Sequence, residues 1–175
     1  MPRISRLGRN DVSDTTGAIY DRYMQTRGNV PNMFRTMAHR PQIFETMIAH
    51  FEAILTTGTL PTKLKELVIV RTSQINACEY CLSSHSIIAK RLGWSVEQVE
   101  DLANFEERTD FTPAEKAALR LAEKMTLDCT SLSDEEFASL RNYYEEGEIV
   151  ELMAAIGLFN YFNRFNNALQ MEPTK

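Results

Sequence analysis

Three capping boxes, Ser95-Val96-Glu97-Gln98, Thr112-Pro113-Ala114-Glu115 and Ser133-Asp134-Glu135-Glu136, constrain the fold of this chain more than any other local signal. In each, a hydroxyl can accept the third helical amide while the Gln or Glu there reaches back, satisfying two donors that every helix start leaves free. Pro113 fits the first helical position, where an N–H is not needed. Only 7 glycines and 6 prolines occur, most of them between periodic apolar segments, and no strand-like alternation is evident. The pattern predicts an all-α, multi-helix single domain over 1–175, its helices joined by short connections.

Helices are expected near 14–26, 32–38, 41–57, 61–75, 77–92, 95–104, 113–129, 134–146 and 148–169, with Gly93 stopping the fifth. The polar, weakly patterned segment 105–112 reads as a loop between two helical halves. With 43% apolar residues the chain can bury a real core. No stretch approaches the ~20 apolar residues of a membrane span. The charged N-terminus lacks a following apolar block, so no signal peptide is expected and the default compartment is cytoplasmic. A net charge of -5 with intermixed signs argues against a nucleic-acid surface, and Arg3, Arg6 and Arg9 are too few to change that.

The chemistry-bearing residues cluster in Cys78-Glu79-Tyr80-Cys81, with His85 following and Glu66 preceding. On a helix, Cys78, Cys81 and His85 project within roughly 60° of one another. Asn76 is a candidate N-cap with Glu79 completing its box, which places Cys78 in a first turn whose free amides and dipole favour a thiolate. Cys81, one turn deeper, has His85 over the same face to take or return a proton. Glu66 sits among Leu64, Leu67, Val68, Ile69 and Val70, where a carboxylate needs a partner. If the two helices pack antiparallel, Glu66 can face His85 and fix its tautomer. Such a thiol pair can reduce a peroxide through a sulfenic acid and then a disulfide.

Blander readings stand beside these. Two cysteines and a histidine make half a zinc site without a fourth ligand. A purely structural thiol pair is the other such reading. Cys129 is expected to be a small buried residue, and His39 and His50 receive no role. Asn160, Asn163 and Asn167 recur at helical spacing beside Phe159, Phe162 and Phe165, lining either a wet pocket or a subunit contact. Met24, Met33, Met37 and Met47 read as core or interface filling, and Tyr144-Glu145-Glu146-Gly147-Glu148 as a solvated turn.

Glu66 and Cys78-x-x-Cys81-x-x-x-His85 resemble the pattern of AhpD-like alkylhydroperoxidases in the carboxymuconolactone decarboxylase superfamily. The resemblance extends over Leu60-Pro61 through Gly93, which would be the redox core, and more loosely to Val30 through Arg35 and the Asn-rich last helix. It implies an all-α homo-oligomer, a trimer or hexamer, that reduces hydroperoxides without metal or haem. Glu66 and His85 would be the proton relay, Cys81 the attacking thiol and Cys78 the resolving one. A thiol reductant, such as a lipoyl-protein or a thioredoxin-like donor, would regenerate the pair. The residues themselves favour Cys78 as the more acidic thiol, whereas proton delivery to the leaving group favours Cys81. The chain departs from the family at Tyr80, where the best-studied members carry a histidine; tyrosine is no base at neutral pH. The decarboxylase branch generally lacks the cysteine pair. Alternative readings are thiol–disulfide exchange on a protein partner and a redox-sensing or assembly module.

Overall fold

The computed structural model describes residues 2–174; Met1 and Lys175, the ends of the expected domain, lie outside the described residues. The helices are α1 (Asp14–Arg27), α2 (Asn32–Met37), α3 (Pro41–Thr56), α4 (Thr62–Ile75), α5 (Glu79–Arg91), α6 (Val96–Glu100), α7 (Pro113–Leu127), α8 (Asp134–Leu140) and α9 (Glu146–Ala168). Short 3-10 turns lie at Arg9–Asp11, Leu102–Asn104 and Cys129–Ser131, and no strand occurs among the described residues. The all-α expectation therefore holds. Among the described residues no helix is long and apolar enough to cross a membrane.

All three capping boxes form and start α6, α7 and α8. Three stretches differ from expectation. The helix expected over 134–146 ends at Leu140, because Tyr144 turns inward and its hydroxyl donates to the Ala114 carbonyl at 2.7 Å. The acidic run after it is solvated as expected at Glu145, Glu146 and Gly147 but opens a helix instead of a turn: Glu148 accepts the Glu145 amide at 3.0 Å and α9 starts there. The stretch expected as one helix over 95–104 is α6 followed by a 3-10 turn that buries Leu102.

α4 forms the centre, packed by α5, α7 and α9, and is buried almost all round. A helix so enclosed must be apolar or have its polar groups paired. Its Lys65, 1% exposed, donates to the carbonyls of Ile54 and Thr57 and meets Glu151 at 2.7 Å. Glu151 also accepts the amides of Thr59 and Leu60. Gly58 has φ +85°, and a Cβ there would lie 2.1 Å from the Glu151 carboxylate, so conformation and space both require glycine.

α4 closes in a Schellman motif: the Cys78 amide donates to Ser73 O and the Ala77 amide to Gln74 O, with Ala77 left-handed at φ 48°. Asn76 is therefore the C-cap of α4 and not the N-cap of the cysteine helix, a role taken by Cys78 itself. α5 closes the same way around Gly93, and Trp94 Nε1 then donates to Lys63 O at 2.8 Å, so α5 runs back along α4. After α9 the chain crosses α2, where Asn32 Nδ2 donates to the Glu172 carbonyl and the Asn32 amide to Thr174 Oγ1.

Candidate functional site

The reversal between α4 and α5 sets Glu66 opposite His85. The Glu66 carboxylate, 2% exposed, takes His85 Nδ1 at 2.7 Å, and the ring stands edge-on against Phe159 with centroids 4.7 Å apart. A carboxylate on Nδ1 makes that nitrogen the protonated one and leaves Nε2 as the basic nitrogen. His85 and Cys81, one turn apart, line a cavity of about 40 Å³ whose apolar wall is Phe34, Phe51, Phe159 and Phe162. That space fits a very small molecule or the reactive end of a larger one.

The two thiols are unequal. Cys81 lines the cavity, whereas Cys78 is fully buried and does not. As N-cap of α5, Cys78 has its thiol lowered to about 7, chiefly by the hydrogen bond with the Cys81 thiol. The amides of Cys81 and Tyr80 and the Asn163 side chain add to this, against burial. Cys81 is pushed up by Cys78 and by burial, partly offset by the side chains of Asn166 and Asn163. Where two such groups share a site, one ionises and the other keeps the proton. Of this unbridged pair, Cys78 is thus the thiol that gives up its proton first and Cys81 the one that keeps it.

α9 supplies residues that sequence reasoning left half-read. Asn76 Nδ2 donates to Asn160 Oδ1 at 2.9 Å and Asn163 Oδ1 at 3.1 Å, and its carbonyl accepts from Asn167 Nδ2 at 2.7 Å. Three asparagines therefore grip the turn that precedes Cys78. Asn166, which the sequence reading passed over, donates Nδ2 to Cys81 Sγ at 3.5 Å. The available signal was amide side chains at i, i+3, i+6 and i+7 among the aromatic residues that end the helix, because buried amides must find partners.

Tyr80 is tied elsewhere: its hydroxyl accepts the Met33 amide at 3.0 Å and shares a hydrogen bond with Thr174, and burial raises its phenol. Cys129 is exposed, not buried as expected, because Asp128 ends α7 and caps a surface turn there. Met24 is exposed too, whereas Met33, Met37 and Met47 are buried. His39 bonds to Ser5, and His50 is exposed. Among the described residues no group of three metal-ligating side chains is placed to hold an ion.

Residues 41–124 match the carboxymuconolactone decarboxylase family. Over 106 residues, 60% of this chain and 72% of the relative, the sequence is 33% identical to "Uncharacterized protein YdfG" of Bacillus subtilis. The structure is similar to that of an uncharacterized peroxidase-related protein with an alkylhydroperoxidase AhpD core from Ralstonia eutropha, with TM-score 0.89 and 25% identity, covering 99% of this chain and 93% of that one. It is also similar to the debrominase Bmp8 in complex with 2,3,4-tribromopyrrole, with TM-score 0.81 and 28% identity, covering 98% of this chain and 91% of that one.

Proposed function

The chain belongs to the carboxymuconolactone decarboxylase family, among its AhpD-like members, and from that premise we propose that it is a thiol-dependent peroxidase acting through Cys78 and Cys81. One observation carries the reading: Cys81 and His85 face the same small cavity, with the acidic Cys78 directly behind and Glu66 on the far side of His85. His85 Nε2 takes the Cys81 proton, and the thiolate attacks the terminal oxygen of a hydroperoxide. The O–O bond breaks, Cys81 becomes a sulfenic acid, and the alkoxide leaves with the proton from His85. The Cys78 thiolate then attacks the Cys81 sulfur, forming the disulfide and releasing hydroxide, which takes up a proton to become water. A dithiol, such as a lipoyl or thioredoxin-like donor, returns two electrons by exchange.

With an alkyl hydroperoxide and a dithiol reductant, the protein should consume peroxide over many turnovers, and Cys78→Ser and Cys81→Ser should each abolish it. Full turnover in either variant would sink the proposal. A second reading has its own support in the likeness to a debrominase and in the aromatic wall of the cavity. The same two electrons would reduce a carbon–bromine bond, giving C–H, bromide and the disulfide. Offering a polybrominated pyrrole and a hydroperoxide in parallel separates the two.

A further inference from the structure

Asn166 differs from the other buried asparagines of α9. Asn160 Oδ1 accepts from Asn76 and Arg164 while its Nδ2 donates to Thr126 and Ile156 O. Asn163 accepts from Asn76 and donates to Ser73. Asn166 is 1% exposed and donates to Cys81, but its Oδ1 has no hydrogen-bond partner. A buried amide oxygen left bare is unfavourable, and such atoms are rare in folded chains. This one belongs to a side chain that lines the Cys81 cavity, whose other walls are mainly apolar.

We propose that Asn166 orients the substrate: its Oδ1 accepts the O–H of a hydroperoxide, so that the hydrogen-bearing oxygen is the one set against Cys81. Oδ1 and Nδ2 are two ends of one planar amide. Nδ2 is taken by the Cys81 sulfur, so Oδ1 is the end of the amide left to accept a donor. In a hydroperoxide only the terminal oxygen carries hydrogen, so the contact selects the oxygen whose attack expels an alkoxide toward His85. The site therefore prefers substrates with an O–H on the attacked atom and rejects dialkyl peroxides, which would leave Oδ1 bare. Asn166 acts here on substrate placement, and the inference rests on the peroxidase reading above.

The test compares wild type, Asn166→Asp and Asn166→Leu on three reagents: tert-butyl hydroperoxide, di-tert-butyl peroxide and methyl methanethiosulfonate, a donor-free thiol reagent. Asp keeps the acceptor and loses the N–H to Cys81; Leu loses both. Wild type should turn over the hydroperoxide and not the dialkyl peroxide. Asn166→Leu should lose about tenfold or more in kcat/KM for the hydroperoxide beyond any change in its rate with the thiol reagent, with KM carrying the excess. Asn166→Asp should keep KM near wild type while kcat falls. Equal losses of Asn166→Leu on the hydroperoxide and the thiol reagent, or a KM that rises as far in Asp as in Leu, would overturn the orienting role while the peroxidase reading stands. A wild-type protein that reacts with the thiol reagent but turns over no hydroperoxide would overturn both.

Discussion

The hydrogen bond between the two thiols, helped by the amides of Cys81 and Tyr80, brings Cys78 near neutrality, while the same bond and burial make Cys81 hold its proton. Because the Cys78 shift is downward, its thiolate should be absent well below about pH 7 and present above it. Ultraviolet thiolate absorbance of the reduced protein should therefore rise with a midpoint near 7. In Cys81→Ala the largest cause is removed and burial remains, so the midpoint should move up; an unmoved midpoint would assign the shift to the amides instead. At this scale Glu66 and His85 were legible because both lie at fixed offsets on two consecutive helices joined by a short turn. Asn166 was not, since its meeting with Cys81 depends on where α9, far along the chain, comes to rest.

Helix starts were legible at the scale of elements because a capping box is written within four residues, as at Ser95, Thr112 and Ser133. Where tertiary contacts choose between local options, the sequence reading failed. Asn76 could have capped α5 as readily as closed α4, and the asparagines of α9 decide the matter by holding its amide and carbonyl. Tyr144 likewise ends α8 early through a bond to α7. The loop between α3 and α4 rests on one residue of α9: Glu151 neutralises Lys65 and accepts two amides after Gly58. Glu151→Ala strands a buried ammonium and both amides, so urea unfolding should show a loss of about 3 kcal/mol. A loss under about 1 kcal/mol would mean that the Ile54 and Thr57 carbonyls suffice for Lys65.

For the whole molecule, the all-α class followed from composition and punctuation, but the cavity did not, because its walls come from α1, α2, α3, α5 and α9. Packing those helices together encloses one sulfur completely and leaves the other on the cavity wall. Under the proposed peroxidase reading, that asymmetry would give the resetting half of the cycle a direction. A reductant can enter a Cys78–Cys81 disulfide only at the Cys81 sulfur, which makes Cys78 the departing thiolate, and a thiol of low pKa departs fastest. Cys78→Ser given peroxide and a monothiol should then accumulate that thiol's adduct on Cys81, visible by mass spectrometry, whereas Cys81→Ser should trap none on Cys78. In that proposed cycle the buried sulfur would be the exit group, released inward, and a reductant would never have to reach it.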